Sequence, residues 1–285
     1  MLPYFLGCPS WSEAAWRGSL YPADMPAAAS LATYCQVFNA VEGNTTFYAR
    51  PAPATLSRWA GQMSAHFHFC AKLPREISHS PSLFEQDAAL ADFLQLLAPL
   101  GERVAPLWLQ LPASFGPSRL SELAYLLEQL GTRPLAVEVR HAQFFDRGEP
   151  ERALNRLLLE RGVERICLDS RALFSCTDDS PAVRHAQSKK PRLPLRPAAF
   201  SEFPQLRFIG HPLLEANLPF LQPWLDKVAQ WIEQGKRPHV FLHTPDNHRA
   251  PELACLFHRH LQQRLPGLAD LPELPGARRD QLALL

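Results

Sequence analysis

The chain has 285 residues, the size of one large domain or two ordinary ones, and its 46% hydrophobic content is enough for a substantial core and excludes a disordered chain. Its 29 basic and 28 acidic residues nearly cancel, which argues against a strongly basic nucleic-acid binder. Only five of the basic residues are lysines, and Lys72 is the sole one before Lys189. The 28 prolines are roughly double the usual share and should mark element ends and loops.

The opening MLPYFLGCPSW has no basic stretch followed by a long apolar run, so no signal peptide is expected. No stretch approaches the roughly 20 apolar residues of a membrane helix, and a cytoplasmic protein with no membrane partner is expected. The six cysteines form no CxxC pair and read as small buried hydrophobes.

Eight short β-prone runs follow one another: 4–8, 39–43, 66–72, 104–111, 134–140, 165–170, 205–211 and 239–244. Between several of them, apolar residues recur at spacings of three and four, as in SELAYLLEQL, EPERALNRLLLERG and NLPFLQPWLDKVAQWIEQG, and the last two end in Gly. This pattern predicts a single-domain α/β protein, a closed (β/α)8 TIM-type barrel. The rival is an open doubly wound sheet, but no GxGxxG follows the first strand. A proline-rich stretch over about 171–203 should be an excursion between strands six and seven, and a polar tail should begin near 266.

In such a barrel, catalytic groups sit at the C-terminal ends of the strands, and alternation separates inward from outward side chains. Phe67 and Phe69 facing the helices leave Lys72 inward on strand three. The same parity turns Glu42 and Asn44 inward on strand two, Gln110 on strand four, Glu138 and Arg140 on strand five, Asp169 on strand six and His243 on strand eight. The facing of His211, at the end of strand seven, stays open.

So many charges at one end must pair, stay wet or meet a ligand. One reading is a structural ion network. The other is a site in which Lys72 and Arg140 hold an anion, Glu138 or Asp169 acts as base, and Lys72 or His243 as acid. In a chain that uses Arg almost everywhere, a lysine at this place points to a need for a compact, tunable ammonium. Trp11 and Tyr48 stand on loops near the mouth, where an aromatic face can stack on a sugar or base, and His79 follows strand three. No cofactor is expected. Three carboxylates with one or two histidines are a donor set for a divalent metal, but no HExxH-type spacing supports one.

The segments GCPSWSEAAWRGSLYP, FNAVEGNTTFYARP, HFCAKLPREISH, LQLPASF and LAVEVRH, with RFIGHP, RPHVFLHTPDN and APELACLFHRHL in the second half, resemble the YecE-like family, a domain of unknown function. The resemblance runs from about Leu6 to about Leu265. It implies a TIM-type barrel and supplies no activity. The family's recurring polar positions fall on Glu42, Asn44, Lys72, His79, Gln110, Glu138, Arg140 and Asp169. The family often has an Asn-rich ending at strand eight, where this chain has HTPDN, so His243, Asp246 and Asn247 depart from the pattern.

The function expected from these residues is an enzyme acting by general acid/base chemistry on a small anionic or polyhydroxylated molecule, of the sugar or sugar-phosphate type. Two alternatives come from other classes. One is nucleic-acid binding or phosphodiester chemistry, with the basic run RHAQSKKPRLPLR touching phosphates. The other is a non-catalytic ligand-binding protein.

Overall fold

A computed structural model describes residues 2–277 of the chain. Its strands are β1 (Phe5–Cys8), β2 (Ala40–Gly43), β3 (His68–Ala71), β4 (Leu107–Gln110), β5 (Leu135–Glu138), β6 (Glu164–Arg165), β7 (Cys167–Asp169), β8 (Gln205–Ile209) and β9 (His239–His243). All pairings between them are parallel. Parallel strands are covered on both faces, which is why they read as short, nearly continuous apolar runs in the sequence.

The ladders form two sheets, ordered β3-β2-β1-β9-β8-β7 and β4-β5-β6, where one continuous eight-stranded ring was expected. Two local features separate them. The run 165–170 divides at Ile166, so that β6 pairs with β5 and β7 with β8. Ile166 itself donates its N–H to Val137 O at 2.9 Å. Between β3 and β4 there is a single parallel bridge, Lys72 with Trp108, reinforced by the N–H of Leu73 donating to Trp108 O at 2.9 Å.

Phe5, Ala40, Cys70, Trp108, Ala136, Ile166 and Phe241, drawn from both sheets, pack together as one small apolar cluster. Close approach here depends on Gly7, where a Cβ would lie 2.1 Å from Ala40 O. The opposite strand faces join a far larger core with the helices.

The helices are α1 (Ser30–Val37), α2 (Thr45–Tyr48), α3 (Pro53–Gln62), α4 (Arg75–Ser78), α5 (Asp87–Leu97), α6 (Leu120–Leu130), α7 (Glu149–Glu160), α8 (Arg171–Ser175), α9 (Pro181–Lys189), α10 (Leu218–Glu233) and α11 (Ala250–Gln262). The chain leaves α7 through Gly162 and α10 through Gly235, both at positive φ (61° and 77°), a conformation cheap only for glycine. No helix among the described residues is long and apolar enough to cross a membrane.

The excursion contains α8, α9 and an extended arm. Leu173 and Ala186 seat the two helices against Leu168 and Ile209 at the strand ends. Ser170 Oγ donates to Pro191 O at 2.8 Å and so joins the two ends of this helical pair. Beyond it the arm is stapled down by Arg196, which reaches Glu151 Oε1 (2.7 Å) and Phe145 O (2.5 Å), and by the N–H of Ala198 on Cys167 Sγ (3.0 Å).

The expected polar tail is corrected in part. Residues 266–277 pack back, with Leu268 buried and Leu271 and Leu274 lying against the core, because these leucines make the segment amphipathic rather than polar. Its remainder lies outside the described residues.

Candidate functional site

Six strand ends deliver polar side chains to one place. Glu42 is its centre and is fully buried at the end of β2. Its Oε1 accepts from Lys72 Nζ (2.7 Å) and Arg207 Nη2 (2.7 Å), and its Oε2 accepts from His243 Nε2 (2.6 Å) and Arg207 Nε (3.2 Å). Arg207 extends to Glu138, donating from Nη1 to Oε2 at 3.1 Å. Arg140 closes the far side with two bonds to Glu138 Oε1, from Nε at 2.8 Å and from Nη2 at 2.5 Å. Lys72 also donates to Gln110 Oε1 at 3.3 Å and stands over the Trp108 ring, 4.3 Å from its centroid.

The electrostatics follow from this wiring. Burial alone would push the Glu42 carboxyl up, but Arg207, Lys72 and His243 outweigh it and hold Glu42 well below the usual carboxylate range. Burial likewise opposes ionisation of Glu138, and Arg140, Arg207 and Lys72 bring it down to about 2. Burial and Arg207 lower the Lys72 ammonium to about 8 against the pull of Glu42 and Glu138. Burial lowers His243 to about 4, so the ring is neutral at pH 7. Its Nε2 faces a carboxylate, which only accepts, and therefore carries the proton. Nδ1 is left as the lone-pair nitrogen.

Above this network opens a cleft of about 550 Å³. Glu42, Asn44, Lys72, Gln110, Arg140, His243, Trp11 and Tyr48 all line it. Asn44 is held by its Nδ2–H donating to Pro9 O at 2.9 Å, and Trp11 packs edge-on against Trp59 with centroids 4.9 Å apart. Tyr48 stands on the rim, 78% exposed.

His79 is not in this cleft. It lines a neighbouring one with Arg75 and Glu76, shares a 3.0 Å hydrogen bond between its Nδ1 and Ser78 Oγ, and packs against Phe47. His211 also stays apart, its Nδ1 accepting from the N–H of Leu213 at 3.0 Å.

Asp169 requires a correction. Its carboxylate accepts from Trp224 Nε1 (2.8 Å) and from Arg171 Nε (3.0 Å) and Nη2 (2.8 Å), so it faces α10 rather than the cleft. Leu168 is the residue turned toward the strand-end cluster. An apolar residue on a strand covered on both faces does not reveal which side is out, so alternation from Leu168 does not fix the facing of Asp169.

Arg207 and Lys190 are among the cleft residues not singled out from sequence. Arg207 was legible, since Leu206 and Phe208 belong to the large core and alternation turns Arg207 the other way. Lys190 follows α9 inside the excursion, where no period assigns a facing. Five cationic side chains, Lys72, Arg140, Lys189, Lys190 and Arg207, line the cleft against two carboxylates, Glu13 and Glu42, while Glu138 lies behind it. No group of three or more His, Cys, Asp or Glu side chains placed to hold a metal ion occurs among the described residues.

Comparison with known proteins places the chain among relatives without an assigned activity. Residues 5–278 match the family model described as "Protein of unknown function DUF72". The chain is 42% identical over 273 residues to UPF0759 protein YecE of Escherichia coli strain K12, covering 95% of this chain and 97% of the relative, and equally to its counterpart in strain O157:H7. Two crystal structures of a DUF72 family protein from Enterococcus faecalis V583 superpose with a TM-score of 0.68. They cover 94% and 93% of this chain and 97% and 98% of theirs, at 16% and 17% identity, a likeness of fold alone.

Proposed function

The chain belongs to the DUF72 family of unknown function, and from that premise we propose that it is an enzyme that binds a small anionic substrate in the cleft at the strand ends and moves a proton on it. The observation that carries this reading is the surplus of positive charge. Glu42 and Glu138 are fully engaged by Lys72, Arg140, Arg207 and His243, and two further lysines line the same cleft with only Glu13 to offset them. A pocket lined by more cations than carboxylates has its free energy lowered by an arriving anion.

The architecture proposed is one domain, a closed (β/α)8 barrel. The Lys72–Trp108 bridge and the continuity of the chain through Ile166, which join the two ladders at their edges, support this closure.

The roles proposed differ from those expected from sequence. Glu138, at about 2 and clamped by two guanidinium groups, is too weak a base. His243 suits that role better, because Glu42 fixes its tautomer and leaves Nδ1 free to accept a proton. Lys72, lowered to about 8, is the proposed acid. Arg140, the least buried cation of the network, is the proposed anion clamp, while Asn44, Gln110, Trp11 and Tyr48 contact the remainder of the substrate.

The basic run 184–196 gives less support to a nucleic-acid surface. Arg184 pairs with Asp179, Arg196 with Glu151, and Arg192 lies over Phe174. Calorimetric titration with inorganic phosphate at low salt tests the anion reading. Saturable binding by the native protein, weakened in Arg140→Ala, is expected. Heat no different from buffer dilution for phosphate and citrate alike would overturn it.

A further inference from the structure

We propose that Lys190 is a nucleophilic amine, and that the anionic substrate carries an aldehyde or ketone with which it condenses. The inference rests on the anion-binding reading of the cleft and adds the substrate's second functional group.

Lys72 and Lys190, which both line the cleft, differ in their surroundings. Lys72 is locked as a donor, with Glu42 at 2.7 Å and Gln110 at 3.3 Å, so its nitrogen lone pair is occupied by a proton. Lys190 stands at the C-terminal end of α9 with its backbone N–H tied to Ala186 O at 2.9 Å, while no carboxylate among the described residues forms an ion pair with its ammonium. The groups acting on it come from four strands. Arg207 on β8 and Lys72 next to β3 repel its charge, and Glu42 on β2 and Glu138 on β5 attract it, but both carboxylates are already neutralised by closer partners. Burial and Arg207, ahead of the remaining groups, bring its ammonium down to about 7. An amine beside other cations in a half-dry pocket is the recognised setting for imine chemistry at neutral pH.

The step balances without a co-reactant. The neutral Nζ of Lys190 attacks the carbonyl carbon, the C–N bond forms, and the carbonyl π pair moves to oxygen. A proton passes from nitrogen to that oxygen, giving a carbinolamine. A second proton on the hydroxyl lets it leave as water while the nitrogen pair forms the C=N bond. The amine and the carbonyl compound thus yield one iminium and one water once an external proton is counted. The substrate's anionic group on Arg140 would hold the carbonyl near Nζ, and the iminium would acidify the adjacent C–H for the lone pair of His243.

Pyridoxal 5′-phosphate, an aldehyde with a phosphate group, is a suitable probe. The intact protein is treated with limiting probe at pH 7.5, reduced with borohydride and mapped by peptide mass spectrometry. With only five lysines in the chain, each site is resolved. Lys190 should be labelled at least tenfold faster than Lys189, Lys227 or Lys236. The rate should rise through pH 7, and inorganic phosphate should protect it. Lys190→Arg should lose this adduct and Lys189→Arg should keep it.

Label spread over the exposed lysines, or centred on Lys72, would overturn the inference. If phosphate binds by calorimetry yet Lys190 is not labelled, the amine chemistry fails and the anion site stands. If phosphate neither binds nor protects, both fail together.

Discussion

His243 on β9 donates its Nε2 proton to Glu42 Oε2 on β2 across 2.6 Å, and both side chains are almost wholly closed to solvent. The same carboxylate holds Lys72 and Arg207, so groups from three other strands converge on one side chain. Removing that carboxylate leaves two buried cations short of a counter-charge. Glu42→Ala should therefore lower unfolding free energy by about 3–5 kcal/mol, the usual result of breaking a buried pair. Urea denaturation measures it. Arg50→Ala is the control: its ion pair with Glu76 is solvent-exposed and should contribute no more than about 1 kcal/mol.

Stability should fall with acid in two overlapping stages. His243 titrates at about 4 in the native state against 6.5 unfolded, so the unfolded chain binds more protons between those values. Stability then falls as pH drops from 6.5 to about 4. Glu138, at about 2 against 4.5, contributes stability present above 4.5 and lost as pH drops toward 2. Melting temperatures across pH 2 to 8 check the sign. In His243→Asn the slope between 6.5 and 4 should flatten, and an unchanged slope would remove His243 as its source.

Arg140→Ala should separate binding from folding. Glu138 keeps Arg207 in this variant, and the Arg140 side chain is already partly exposed. We expect phosphate affinity to drop about tenfold or more, the size of one lost charged hydrogen bond, with a small change in melting temperature. A large loss of stability with unchanged phosphate affinity would mark Arg140 as structural.

Asp169→Asn should show the converse. It weakens the contacts that join β7 to Trp224 and Arg171, at a cost of about 1–3 kcal/mol. Phosphate binding should be unaltered, because the side chain faces away from the cleft. Weaker phosphate binding in a folded Asp169→Asn protein would return this residue to the site.

Much of this arrangement could be read from alternation alone. Glu42, Lys72, Gln110, Glu138 and His243 each follow an outward apolar neighbour by one position, and that was enough to gather them. Seven of the eight expected strands each form one strand within a few residues of their expected bounds. The failures have specific causes. Asp169 is satisfied by Trp224, 55 positions away on a helix, which no local rule exposes. Lys190 owes its place to α8 and α9 packing on Leu168 and Ile209, a tertiary event inside a stretch without period. The division of strand six at Ile166 arises from which neighbour each half pairs with, and the sequence carries no mark of that choice.

The hydrogen bond from Ser170 to Pro191 has a mechanical consequence. It ties the residue after β7 to the residue after Lys190, so the α8–α9 segment is closed into a loop at the strand edge. With Leu173 and Ala186 seated on Leu168 and Ile209, the cleft lysines 189 and 190 are carried by the strand frame rather than by a free loop. Their spacing from the Glu42-centred network is thereby set by the same strands that build the network.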